Sequence, residues 1–255
     1  EISKGGKRSR GALTLLGYQL AGGSKEGEEE VMKASVAMEI SHLGLLIQDD
    51  FMDQDEMRRG VKTIQTRYQD KHLGESIAVL AGDFTFGWVT EMLSNLKLPA
   101  EKVQKAIGVW GKYFTRVGYG QALDMLASER EATEEEILKV LTLKSGEYSC
   151  VLPLLMGAVL AGSDPFKLAS LEKFGMELGL VFQLRDDYLA EYGESEKTGK
   201  PVGNDQREGK KTLVTLYGEE ATKKALKEHT EIAKKLAEDE EMLVELVDWL
   251  ATREN

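Results

Sequence analysis

The sequence predicts an all-α protein. Three observations carry that prediction: only four prolines in 255 residues, short connections, and long segments in which apolar side chains recur every three or four positions. A chain of this length can bury one large core or two small ones, and the continuous helical pattern predicts a single domain over residues 1–255.

The first predicted helix, residues 28–53, puts Ser35, Met38, His42, Leu45, Asp49 and Asp53 on one face. An irregular polar stretch runs to Gly74. A second helix, residues 76–96, repeats Ile77, Leu80, Phe84, Trp88 and Met92 before Pro99 punctuates its end. A third, residues 101–128, carries Val103, Ile107, Trp110, Phe114, Val117 and Gln121. After an acidic loop, residues 134–160 form a fourth helix in which Pro153 removes a backbone donor and predicts a kink. Asp164-Pro165 opens a fifth, residues 166–191, through Leu171, Phe174, Leu178, Phe182 and Arg185. Residues 192–211, with four glycines and little apolar content, read as a long loop of the functional kind. From Glu219 the chain is again helical and highly charged, ending in an amphipathic segment over 242–250. No repeat of fixed period is present, although the acidic pairs Asp49-Asp50 and Asp186-Asp187 echo each other.

A net charge of −11, from 33 basic and 44 acidic residues, argues against a general nucleic-acid surface, so any phosphate site must be a local basic cluster. The single Cys150 excludes an internal disulfide and a multi-cysteine zinc site, suits a reducing, cytoplasmic compartment, and reads as a small buried apolar residue. The longest uncharged run, residues 148–163, is shorter than the roughly 20 residues a membrane span needs and is interrupted by Pro153 and Gly157. No signal peptide is apparent. The chain begins Glu-Ile-Ser, without an initiator Met, which raises the expectation of a missing N-terminal piece.

The segment QDDFMDQDEMRRG, residues 48–60, concentrates the chemistry. Asp49 and Asp53 are four apart, about 6 Å along a helix axis, and like charges so stacked repel by a few tenths of a kcal/mol, about 0.2–0.5, unless a cation intervenes. Oxygen donors with few histidines suit magnesium, which is held by one or two carboxylates together with substrate phosphates. Asp186 and Asp187 repeat the pattern after Phe182-Gln183. The bases are Lys7, Arg8 and Arg10 after Gly5-Gly6, then Arg58-Arg59, Lys144 beside Ser145, Lys200 and Lys210. Arg offers a fixed fork of donors and Lys a mobile point charge, and a diphosphate uses both.

In order along the chain, GGKRSR, His42 ahead of DDFMD, RRG, AGD, GYGQALD, KSG, FQLRDD, TGK and EGKKT resemble the trans-prenyltransferase (polyprenyl synthase) family, the head-to-tail isoprenyl diphosphate synthases, farnesyl and geranylgeranyl diphosphate synthases among them. The resemblance implies an isoprenoid synthase fold of antiparallel helices around a deep apolar cavity, a homodimer, and Mg²⁺-dependent condensation of isopentenyl diphosphate with an allylic diphosphate. It implies that Asp49, Asp50, Asp53, Asp186 and Asp187 bind magnesium. Arg58, Lys144, Ser145, Phe182, Gln183, Lys200 and Lys210 would serve the allylic substrate, and Lys7, Arg10, His42 and Arg59 the isopentenyl diphosphate. His72 and His229 match nothing and read as surface residues. Asp55 and Glu56 read as a solvated connection.

Departures from the family pattern are Ala190 in DDYLA, where a third aspartate is usual, Gly11 in place of a proline, a longer stretch over residues 61–73, and fewer residues after EGKKT. Small Gly44, five residues before Asp49, and Ser41 predict room for a product of the farnesyl class or longer, with Phe84, Phe86 or Trp88 as alternative floors. A class I terpene cyclase would keep the fold but not Lys7, Arg10 and His42, and a non-catalytic synthase subunit would not need DDFMD.

Overall fold

The computed structural model describes residues 6–128, 130, 133–193, 213–237 and 240–253. They are helical apart from one hairpin and the connections: α1 (Ser9–Leu20), α2 (Glu28–Met52), β1 (Met57–Arg58), β2 (Val61–Lys62), α3 (Lys71–Ser94), α4 (Ala100–Ser128), α5 (Glu134–Leu141), a π-helix (Thr142–Val151), α6 (Leu152–Ala161), α7 (Pro165–Tyr192), α8 (Leu213–Ala237) and α9 (Glu241–Thr252). Residue contacts divide the chain into two compact units, Glu1–Val109 with Met156–Ser163, and Trp110–Leu155 with Asp164–Asn255. None of the described helices is long and apolar enough to cross a membrane.

Local chemistry explains four of the described helix starts. Glu28, Glu29 and Glu30 open α2 and complement the positive end of its dipole. Asp70 caps α3 by accepting from the Leu73 amide at 2.8 Å, which moves that helix start ahead of the residue 76 expected from periodicity. Thr133 and Glu136 form a reciprocal capping box at α5. Asp164 caps α7 with Pro165 in its first turn, as the Asp-Pro pair predicts. Within α8, Gly218 has φ 80°, so its regular helix resumes at Glu219.

Two elements escaped the sequence reading. α1 starts inside GGKRSR behind Arg8, which makes no side-chain cap and has φ 52°, so no start signal marks it. The polar stretch after DDFMD contains the β1–β2 hairpin, whose register pairs Arg58 with Val61 and leaves Arg59-Gly60 as its two-residue turn. Both turn residues have positive φ, 52° and 76°, the pattern that matches strand twist, but Arg-Gly is an unusual way to write it.

Just ahead of Pro153, where a kink is expected, the backbone leaves regular α-helical winding. The ten residues Thr142–Val151 ahead of it form a π-helix before α6 resumes. Proline withholds one amide and crowds the preceding turn, and the wider i→i+5 winding relieves that crowding.

In the first unit α2 packs on α3 around Ile47 and Ala78, with Leu43, Phe51, Ile64 and Ala81 against them. In the second, α7 packs against the π-helix and against α8, and Phe174, Leu178, Val181 and Leu184 are almost wholly buried.

Candidate active site

α2 ends where local helix chemistry disfavours its own side chains. Asp49 and Asp50 lie in the last turn, Asp53 is the C-cap, and no basic residue shares that turn, so three carboxylates gather at the negative pole of the helix. A cation from elsewhere is needed, and Arg58 supplies one. From β1 its Nε donates to Asp50 and its Nη2 to Oδ2 of Asp49 at 3.3 Å, with Asp55 3.8 Å away. Asp50 is buried, and burial raises its pKa against the opposing pull of Arg58. Its Oδ2 is buried with no hydrogen-bond partner among the described residues. A buried carboxylate oxygen left over after an arginine has been satisfied is the kind of donor a hard cation takes. Among the described residues no three His, Cys, Asp or Glu side chains form a metal-binding group. In the first motif Asp49 and Asp50 converge on the Arg58 guanidinium, while Asp53 caps the helix.

The hairpin that carries Arg58 also aims Arg59, from its turn. A non-glycine residue with φ 52° is strained, and such strain persists where surrounding structure holds it. The Arg59 guanidinium closes on Gly6, within 3.0 Å of where a Cβ on that glycine would stand. Lys7, Arg10, His42 and Arg59 then line one pocket with Arg8 and Glu39. Glu39 accepts the Gly11 amide at 2.8 Å, which ties the start of α1 to α2 and so sets the pocket wall. Burial first, and then the positive charges of Arg10 and Arg59, pull the His42 pKa down to about 2. His42 is therefore a neutral donor or acceptor among cations, in a pocket suited to a multiply charged anion.

In the second unit the π-helix carries Lys144 and Ser145. Lys144 Nζ donates to Oδ2 of Asp124 at 2.7 Å. Ser145 donates to Oε1 of Gln183 at 2.6 Å, and Gln183 Nε2 donates onward to Oδ1 of Asp187 at 2.7 Å. The close approach that permits this relay needs glycine on α7: a Cβ on Gly179 would stand 2.4 Å from the Gly146 Cα. Asp187 is buried, whereas Asp186 accepts from Arg253 Nη2 at 2.6 Å. The Arg253 guanidinium also lies over the Phe182 ring, 4.7 Å from its centroid. Near Ala190, Glu191 Oε2 is buried without a hydrogen-bond partner among the described residues.

The sequence matches the family described as polyprenyl synthetase over residues 1–250. The chain belongs to that family. It is 37% identical over 213 residues to a short chain isoprenyl diphosphate synthase of Methanocaldococcus jannaschii, covering 84% of this chain and 62% of that protein. It is 33% identical to a geranylgeranyl diphosphate synthase of Sulfolobus acidocaldarius, covering 84% of this chain and 63% of that one. The chain thus spans less than two thirds of the length of these curated relatives. Among solved structures, geranylgeranyl pyrophosphate synthase from Corynebacterium glutamicum, complexed with isoprenyl diphosphate and magnesium, superposes with a TM-score of 0.89 at 27% identity, covering 99% of this chain and 88% of that one. The geranylgeranyl pyrophosphate synthetase of Geoglobus acetivorans superposes at 0.84 with 30% identity, covering 98% and 88%. The fold is the all-α isoprenoid synthase fold of this family.

Within the first unit, Lys7, Arg10, His42 and Arg59 share one pocket, and Asp49, Asp50 and Arg58 meet directly. Within the second, Ser145, Gln183 and Asp187 form one relay, Phe182 and Asp186 share Arg253, and Lys144 is held by Asp124. Lys200 and Lys210 lie outside the described residues.

Several residues add to or differ from their sequence reading. The Asp55 side chain is 44% exposed, as a solvated link requires, but it lies 3.8 Å from Arg58 and its backbone carbonyl accepts from Thr63 at 2.6 Å and Gln65 at 2.9 Å, so the link is also held in place. His229 is not a plain surface residue: its Nδ1 is 2.7 Å from Oε2 of Glu177. Gly44 does not face open space, because a Cβ there would stand 1.9 Å from Thr85 Oγ1 and 2.7 Å from the edge of the Phe86 ring. Its smallness, like the full burial of Ser41, serves the packing of α2 on α3. Sequence reasoning missed Asp124, Gln65 and Arg253. Asp124 sits in the quoted GYGQALD motif, but neither Gln65 nor Arg253 carries any periodic or motif signal.

Proposed function

We propose that this chain is a magnesium-dependent prenyltransferase that condenses isopentenyl diphosphate with an allylic diphosphate to give a trans-polyprenyl diphosphate of the farnesyl class or longer and free diphosphate. The observation that carries the reading is the pocket of Lys7, Arg10, His42 and Arg59, an anion site built beside the acidic end of α2 in a member of the polyprenyl synthetase family. The relatives' names, short chain isoprenyl and geranylgeranyl diphosphate synthase, support the same reaction class.

In this reading Lys7, Arg10 and Arg59 hold the diphosphate of isopentenyl diphosphate, with neutral His42 as a hydrogen-bond partner that adds no charge of its own. Asp49, Asp50 and Asp53, with Asp186 and Asp187, would hold Mg²⁺, which when bound neutralises charge on the departing allylic diphosphate. Arg58 exchanges its carboxylate contacts for that diphosphate, and Lys144, Ser145, Phe182, Gln183, Lys200 and Lys210 complete its surroundings. Donors already aimed at the developing negative charge favour ionisation of the allylic carbon–oxygen bond. The isopentenyl double bond, anchored by its own diphosphate, then attacks the allylic carbon, and loss of a proton to the released diphosphate leaves a product five carbons longer. No protein nucleophile takes part.

One polyprenyl synthase domain, a cytoplasmic location and a homodimer belong to the same reading. The dimer is supported by Leu80, Phe84 and Trp88, which recur every four residues on α3 and stay 45%, 58% and 53% exposed. Incubation with isopentenyl diphosphate, a panel of allylic diphosphates and Mg²⁺ tests the reaction. Elongated diphosphates are expected, and their absence with every primer would overturn the reading. Cyclic hydrocarbon formed without isopentenyl diphosphate would replace it with a cyclase.

A further inference from the structure

We propose that Arg116 and Glu147 are a positioning pair that fixes the π-helical register of Thr142–Val151, and so sets Lys144 and Ser145 for the allylic diphosphate. The inference rests on the prenyltransferase reading above.

A π-helix of ten residues is rare, since i→i+5 winding is normally confined to single turns inside an α-helix. Pro153 explains why the winding starts to change. It does not explain why the altered register is held over the length that carries Lys144 and Ser145. Holding it needs contacts from neighbouring helices, and α4 provides a row of them at four-residue spacing. Arg116 donates from Nε to Oε2 of Glu147 and from Nη2 to Oε1 at 2.6 Å. One turn on, a Cβ on Gly120 would stand 2.9 Å from the Leu143 Cβ and 3.0 Å from the Lys144 Cγ, so α4 and the π-helix are in near-backbone contact there. Another turn on, Asp124 takes the Lys144 ammonium.

Of these three contacts only the first has a fixed direction. A guanidinium fork on a carboxylate sets both distance and orientation, whereas a lysine on a carboxylate is a swivel and a glycine merely allows approach. Glu147 is 5% exposed and its two oxygens are committed to this fork, so its position along the π-helix is set by Arg116. Glu147 stands two residues from Ser145 and three from Lys144. The adjoining polar seam, in which Tyr113 donates to Glu172 at 2.5 Å and Lys112 lies 3.3 Å from the same oxygen, joins α4 to α7 and stiffens the support. Neither Arg116 nor Glu147 belongs to the substrate-binding set assigned above, so the pair acts through Lys144 and Ser145.

Steady-state kinetics of Glu147→Gln, Arg116→Lys and the double variant Arg116→Met/Glu147→Met separate positioning from plain stability. Glu147→Gln is expected to raise KM for the allylic primer about tenfold while KM for isopentenyl diphosphate stays within about twofold. Arg116→Lys keeps the charge without the fork, and an intermediate KM is expected. The double variant replaces the part-buried pair, in which the carboxylate is enclosed and the guanidinium partly exposed, by apolar side chains and is expected to regain the melting temperature of the unsubstituted protein but not its allylic KM. If the double variant regains both, or both substrates' KM values move together, the pair is structural and the inference falls. Unchanged allylic KM in all three variants, with elongation by the unsubstituted protein, overturns the inference alone. Absence of elongation by the unsubstituted protein overturns the prenyltransferase reading and the inference together.

Discussion

Arg253 donates from Nη2 to Oδ1 of Asp186 at 2.6 Å, although 67 residues separate them in the chain. The contact is reciprocal between helices: Arg185 on α7 donates to the Arg253 and Thr252 carbonyls at the end of α9, while Arg253 returns to the Phe182 carbonyl and to Asp186. A cation at the C-terminus of α9 is well placed for that dipole, and the same guanidinium gives Asp186 on α7 a counter-charge. Arg253→Met should therefore lower stability by about 1–3 kcal/mol, the cost of unpairing charge-assisted hydrogen bonds, and should lower the urea midpoint accordingly. An unchanged midpoint would show that the contact contributes nothing.

Asp49→Ala separates function from folding. The substitution removes one of the carboxylates crowded at the negative end of α2 together with its long, partly exposed contact to Arg58. These two effects oppose each other, so stability should stay within about 1 kcal/mol of the unsubstituted protein. Elongation should fall by about 100-fold or more, the scale of a lost electrostatic contribution to the reacting charge. Near-normal turnover in the same preparation would remove Asp49 from the proposed metal set.

His42 predicts the acid limb of stability. Its folded pKa is depressed to about 2, chiefly by burial, whereas an unfolded histidine titrates near about 6.5. The unfolded chain therefore binds the extra proton, and stability contributed by the neutral imidazole is full above about pH 6.5 and is lost as pH falls, by up to about 1.4 kcal/mol per unit. His42→Gln should flatten the fall of melting temperature between about pH 6.5 and 4. Identical pH profiles for the two proteins would contradict the burial argument.

Phe86 is the aromatic residue of α3 that lies against Gly44, whereas Phe84 and Trp88 are more than half exposed. If the growing chain runs past Gly44, Phe86 is its floor. Phe86→Ala should then shift the product distribution to longer diphosphates, read by mass spectrometry of the dephosphorylated alcohols. Unchanged lengths would put the floor elsewhere. Gly44→Phe is the poorer probe, because its ring would have to displace Thr85 and Phe86 and with them the packing of α2 on α3.

What could be read from the chain alone was whatever is carried by local order. The 3.6-residue periodicity that marks α2, α3, α4 and α7, the Asp-Pro start of α7, and the ordered motifs all depend on neighbours within a few turns, and they located the acidic helix ends and the basic residues around them. What needed tertiary structure was every feature whose partner is distant or whose backbone is atypical. The α1 start and the Arg59-Gly60 turn rely on positive φ at arginine, which no propensity favours and only surrounding contacts sustain. The π-helix needs α4 and α7 to hold it, and Gly44 could be understood only once Thr85 and Phe86 were beside it. The choice of Arg58 as the cation for Asp50, and of Arg253 for Asp186, was likewise settled in space. Charge fixes that a carboxylate needs a partner, but only packing selects which arginine arrives.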